Sequence, residues 1–284
     1  MKWLKDFFFI IEYYLIRIHW LSLDVVAGAM LTHVIASRLP DGHGEVSWAS
    51  TVLVGISVFF IYVADRLIDN HKTNTPTTAR HKFHAQHEAI LLKIMMGLGV
   101  VGLICLFWLP FKVIMLGIGL MVLVSVYLKV IQKISSTDTF QLFKEPMVAI
   151  IYTIGVWGSA VLAQQHTSWE ETSFMVLLGI IAFQNLLLFS WFESFDIEEG
   201  YSLAIAWGTD TVSQIINILT ILVVIGALVI LFLTTHRYSI RTSVAVISMS
   251  LSLYFLKKHY SQFLGHERYR WLGDGIFFYM LWLL

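Results

Sequence analysis

Apolar residues run along this chain in blocks that are too long for the helices of a soluble core. They fall at about 22–39, 47–69, 89–109, 111–131, 146–164, 174–193, 212–234 and 240–257. Each is close to, or longer than, the ~20 residues that carry a helix across a bilayer. A shorter block at 271–284 predicts a ninth crossing. The pattern predicts an all-α polytopic membrane protein of about nine transmembrane helices. Asp24, just after Ser22, reads as a capping residue for the first span, and Pro110 marks a tight turn between the third and fourth.

The first twenty residues follow a different rule. On a helix, Lys2, Lys5, Asp6, Glu12, Arg17 and His19 share one arc, opposite a face of Phe, Ile and Leu. That describes an amphipathic helix lying in the membrane interface over 1–20. Glu12 and Arg17 interrupt the apolar stretch and no small-residue cleavage site follows, against a signal peptide. The expected organisation is therefore 1–20 at the interface and 21–284 as one transmembrane domain. Two four-helix halves, 21–135 and 144–260, would be followed by a last helix at 271–284.

Composition supports the membrane reading: 57% of residues are hydrophobic and 13% charged, against about 25% charged in a soluble domain. Formal net charge is zero, which gives no footing for nucleic acid. The single cysteine, Cys105, lies in an apolar block, which excludes an internal disulfide and predicts a buried thiol. With the N-terminus placed in the cytoplasm, fifteen of the nineteen Lys and Arg residues fall inside and four outside. This agrees with the positive-inside rule.

That orientation brings two acidic clusters to the cytoplasmic side. Asp65 and Asp69 end the second span, four apart and so on one helical face. Glu193 and Asp196 end the sixth, three apart, with Asn185 two turns earlier and Glu198 and Glu199 beyond. Ionisable groups at membrane depth cost roughly 2.5–3.5 kcal/mol each and read as functional by default. Oxygen donors of this kind suit Mg²⁺, which commonly bridges to substrate phosphates. Arg66, Lys72, Arg80, Lys129 and Lys144, with Asn185, are the candidate diphosphate contacts, and Tyr127 lies near them in the chain. Arg66 has a structural reading too, as partner of an acidic neighbour. Phe59, Phe60, Tyr62, Phe189, Trp191, Phe192 and Phe195 could shield a carbocation. Loss of pyrophosphate from an allylic diphosphate fits this set. His81, His84 and His87 recur every three residues, but no HxxxH or HxxHH pair occurs, so they read as an interfacial stripe.

Ile61-xxx-Asp65-xxx-Asp69 resembles the NxxxDxxxD motif that ends the second helix of the UbiA-type intramembrane prenyltransferases. The segment Thr78-Ala79-Arg80-His81 is similar to that family's basic segment, and Tyr127-Leu128-Lys129 to its Tyr/Lys region. Lys144-Glu145 and Tyr152-Thr153-xx-Gly155 are similar to its fifth helix. The chain departs from the family in two places: Ile61 stands where the family has Asn, and Glu193-Ser194-Phe195-Asp196 where it has DxxxD. The resemblance implies Mg²⁺-dependent transfer of a prenyl group from a prenyl diphosphate to a lipophilic, usually aromatic, acceptor. Metal ligation would fall to Asp65, Asp69, Glu193 and Asp196. The expected location is a bacterial inner membrane. Two other readings share these residues: a terpene cyclase on the same scaffold, and a transporter or cation permease built on the four carboxylates. A catalytically inactive binding protein is a further alternative.

Overall fold

The computed structural model describes residues 16–72, 79–133, 144–164, 167–196 and 203–284. Most of the expected interfacial helix at 1–20 lies outside them, as do Thr78, Glu198 and Glu199. The described residues form helices and no strand. In chain order these are α1 (Leu23–Arg38), α2 (Trp48–Lys72), α3 (Ala79–Cys105), α4 (Phe111–Lys133), α5 (Lys144–Ala163) and α6 (Trp169–Asp196). They continue as α7 (Leu203–Trp207), α8 (Thr209–Leu233), α9 (Arg237–Lys258) and α10 (Arg268–Gly275), with a closing 3₁₀ helix over Ile276–Leu283.

Seven of these helices (α2–α6, α8 and α9) are long and apolar enough to cross a membrane. This is an integral membrane protein. The first and last expected crossings are shorter. α1 has 16 residues, about 24 Å at 1.5 Å per residue. At the C-terminus, eight α-helical residues lead into eight 3₁₀ residues. Because a 3₁₀ helix rises ~2 Å per residue, the two together reach ~28 Å.

The chain divides into two compact units, Met1–Met30 with Trp48–Leu109 and Leu31–Ser47 with Pro110–Leu284. In the first, α2 and α3 form an antiparallel hairpin. Phe59, Val63 and Leu67, one row at four-residue spacing, pack with Leu91 of α3. At the opposite end Trp48 meets Trp108 at 5.3 Å between ring centroids. Gly102 sets the closeness between them, since a Cβ there would lie 3.3 Å from Leu53. Ser22, at a left-handed φ of 54°, separates a helical turn at 16–20 from α1. Asp24 stabilises that start: Oδ1 accepts from the Val25 N–H at 2.9 Å and Oδ2 from Nδ1 of His19 at 2.6 Å. Cys105 is buried and free, as expected.

In the second unit α6 is the hub, packed by α5, α7, α8, α9 and α10. Small residues allow the close approaches usual between membrane helices: a Cβ on Gly179 would lie 3.1 Å from Thr153 of α5, and one on Gly226 of α8 would lie 2.8 Å from Leu177. Polar side chains pin the hub. Nε2 of Gln184 donates to Oγ1 of Thr220 on α8 at 2.9 Å, while Oγ of Ser250 on α9 donates to Oε1 of Gln184 at 2.8 Å. Other hydroxyls of the serine- and threonine-rich α9 bond to its own carbonyls: Thr242 to Tyr238 at 2.9 Å, Ser243 to Ser239 at 3.0 Å and Ser248 to Val244 at 2.8 Å. Nζ of Lys257, near its end, donates to the carbonyl and hydroxyl oxygens of Ser213 at 2.8 and 3.0 Å, and to Oδ1 of Asn217.

Candidate functional site

The first acidic motif stands at the end of the α2–α3 hairpin. Asp65 follows Val63 by two residues, so on α2 it falls on the side turned away from the Val63–Leu67–Leu91 core. Asp65 is half-buried, and among the described residues none bonds to its carboxylate. An unpaired carboxylate at the end of a membrane helix is the kind of donor a hard divalent cation uses. Asp69 lies one turn further along the same helix; its side chain, with those of Lys72, Lys144 and Asp196, lies outside the described ones.

Arg66 turns elsewhere. It is 6% exposed, Nη1 donates to the carbonyl of Trp20, and the guanidinium stands 5.7 Å from the Tyr62 ring centroid. The bond to Trp20 ties α2 to the turn before α1, while Tyr62, one turn back on α2, supports the guanidinium. Trp20 in turn meets Phe83 of α3 at 5.5 Å, and Phe83 stacks on His87 at 4.4 Å. Nδ1 of His84 donates to the Arg80 carbonyl and Nδ1 of His87 to that of Phe83, at 2.9 and 2.8 Å. Two members of the histidine stripe are thus hydrogen-bonded within their own helix. Arg80, in the first turn of α3, is half-buried at the same end of the hairpin as Asp65.

The second motif is organised by α10, which runs antiparallel beside α6 in two rungs. On the deeper rung Nδ2 of Asn185 donates to Oδ1 of Asp274 at 3.0 Å. On the outer rung Arg270 forms a salt bridge with Glu193. The Arg270 guanidinium also lies over the rings of Phe189 and Tyr269, at 5.5 and 5.7 Å, a cation–π arrangement. Tyr269 stacks on Phe192 at 4.5 Å and 2°. Gly273 lets the helices meet, since a Cβ there would lie 2.6 Å from both Oδ1 of Asn185 and Cε1 of Phe189. Tyr152 of α5 lies beside Thr32 and Asp274, with its ring 5.7 Å from that of Phe277. Lys129, near the end of α4, is exposed.

Of the residues singled out from sequence, Glu193 and Asn185 are both engaged, and both partners lie on α10. Neither Arg270 nor Asp274 stood out in the sequence as a site residue. The available signal was their four-residue spacing at the entry to the last apolar block, which places both on one helical face.

No family model and no curated protein sequence matches this chain. Its fold does have a solved counterpart. The structure of a digeranylgeranylglyceryl phosphate synthase in membranes superposes with a TM-score of 0.52 at 14% identity, over 90% of this chain and 92% of that one. At that identity the likeness is one of fold, and it is the UbiA-type membrane fold that the motifs imply.

Proposed function

We propose that this protein is an intramembrane prenyltransferase, moving a prenyl group from a prenyl diphosphate to a lipophilic acceptor with the help of Mg²⁺. The observation that carries the reading is Asp65: a half-buried carboxylate with no partner among the described residues, one turn from Asp69, at the end of a membrane helix. The fold supports it, because the solved counterpart is itself a synthase of a prenylated glycerol phosphate.

In this reading Asp65 and Asp69 would hold one Mg²⁺, and Glu193 and Asp196 would hold a second. The bound metal supplies neutralising charge for the diphosphate and so eases its departure. Arg80, at the same end of the hairpin as Asp65, binds phosphate oxygens, with Lys72, Lys129 and Lys144 adding positive charge. Arg66 acts one step back, holding the end of α2 through Trp20 and Tyr62 so that Asp65 keeps its direction. Asn185 likewise orients α10 through Asp274. As the C–O bond to the diphosphate breaks, an allylic cation is left among apolar helices. Phe189 already accepts a guanidinium on its face and is the ring we assign to shielding that cation. The acceptor then captures it and gives up a proton.

We further propose that the N-terminus and both acidic motifs face the cytoplasm of a bacterial inner membrane, as the Lys and Arg distribution predicts. The test uses purified protein in detergent with prenyl diphosphates of several lengths, following pyrophosphate release with Mg²⁺ and with chelator. Mg²⁺-dependent release supports the reading, and its absence with every donor sinks it. Product analysis without added acceptor separates transfer from cyclisation.

A further inference from the structure

Prenyl transfer to an acceptor ends with the loss of a proton, and none of the residues assigned so far takes it. The fold supplies a candidate at the turn before α1, in the same compact unit as Asp65. Nδ1 of His19 donates to Oδ2 of Asp24 at 2.6 Å, and Oδ1 of Asp24 is held by the Val25 N–H. A carboxylate on Nδ1 keeps the proton there and leaves the lone pair on Nε2. His19 is 5% exposed, and its Nε2 is buried with no hydrogen-bond partner among the described residues. Ser22, whose N–H donates to the His19 carbonyl at 2.8 Å, is buried too, and its Oγ also has no partner among them. Buried polar atoms are normally paired. Two unpaired ones in a single turn point to a ligand group that pairs with them.

The turn stands beside the first acidic motif. Trp20, next to His19, accepts from Arg66 with its carbonyl and meets Phe83 of α3 with its ring. Arg66 follows Asp65 directly, and Phe83 lies one turn beyond Arg80. The chemistry of the two unpaired atoms selects the ligand. A lone pair on Nε2 has nothing to donate to a phosphate oxygen but accepts a hydroxyl proton, and a serine Oγ can donate to the oxygen of a hydroxyl. We propose that His19 is the base of the transfer step and that the acceptor is an alcohol or a phenol; this rests on the prenyl-transfer reading above. As the C–O bond to the diphosphate breaks, its electron pair leaves with the diphosphate. The acceptor oxygen bonds to the allylic carbon, and its proton passes to Nε2. Asp24 holds the ring in this tautomer and balances the imidazolium that forms. A pin that only fastens the turn to α1 would need the Nδ1 bond alone, and would leave the balance between ionisation and transfer unchanged.

The experiment follows pyrophosphate release and prenyl ether formation together, in the full-length protein in detergent with Mg²⁺. The donor is a prenyl diphosphate from which wild type releases pyrophosphate, and hexadecanol and nonylphenol are the acceptors. His19→Asn keeps an amide that can donate to Asp24 but has no base. In it, ether formation falls about a hundredfold or more. Pyrophosphate release falls far less, and the difference appears as prenyl alcohol from capture by water. Asp24→Asn shifts the products the same way. His19→Ala regains part of its ether formation when imidazole is added, and nothing with the much less basic pyrazole. Ether formation by His19→Asn at the wild-type rate overturns the inference. So does a parallel fall in release and ether formation that imidazole does not reverse, which identifies the pair as a structural pin. Wild type that releases pyrophosphate but prenylates neither hydroxyl also overturns it. In all three cases the diphosphate reading stands. Wild type that releases no pyrophosphate from any prenyl diphosphate overturns both.

Discussion

Asn185 and Asp274 face each other across α6 and α10, with 3.0 Å between Nδ2 and Oδ1. Both are buried, at 4% and 8% exposure, so water offers neither a substitute partner. Removing the Asp274 carboxylate takes away the acceptor of the Asn185 amide, at a cost of about 1–3 kcal/mol. Asp274→Ala should lower the apparent melting temperature in detergent clearly, and Asp274→Asn, which can still accept from Asn185, should lower it less. Equal losses in the two variants would mean that the hydrogen bond is not what joins these helices.

Gly273 is the position where α10 comes closest to α6. Gly273→Ala places a methyl group 2.6 Å from Asn185 and Phe189, and relieving that clash costs about 1–3 kcal/mol. Gly275→Ala meets nothing within 4 Å and should be neutral or stabilising by up to ~1 kcal/mol, as alanine favours the helix. Thermal unfolding of the two variants side by side provides the check.

Gln184 links three helices through Thr220 and Ser250. A double-mutant cycle with Gln184→Ala and Ser250→Ala should give a favourable coupling between roughly 0.6 kcal/mol, the average for hydrogen bonds between membrane helices, and roughly 1.7 kcal/mol, the largest. Strict additivity would contradict the geometry.

Arg66 is committed to the Trp20 carbonyl and the Tyr62 face. Arg66→Lys keeps the charge but not the planar group that makes both contacts. The expected result is a lower melting temperature with little change in the affinity for a prenyl diphosphate. A variant that is fully stable but binds diphosphate poorly would assign Arg66 to the ligand instead.

The helices were legible because apolar length is a local property: α2–α6, α8 and α9 all fall where the hydrophobic blocks lie. The first and last crossings blurred for physical reasons. α1 is short and buries Thr32, His33 and Ser37, while the last block turns into a 3₁₀ helix that gains length per residue. The i, i+4 pairing of Asp65 and Asp69 was legible for the same local reason. Asn185 stood out as an amide inside an apolar block, two turns before Glu193, but its partner did not. Arg270 and Asp274 stayed hidden because their partners on α6 lie far away in sequence, and because a basic residue beside an apolar block looks like a topological signal. Only the antiparallel seating of α10 on α6 gives them their partners.

The central claim is diphosphate chemistry at Asp65, and the most direct test compares pyrophosphate release by wild type and Asp65→Ala at saturating Mg²⁺ with one prenyl diphosphate. The account predicts release by wild type that chelator abolishes, and a loss of at least a hundredfold in the variant while its melting temperature holds. Release by a folded Asp65→Ala protein at the wild-type rate would contradict it.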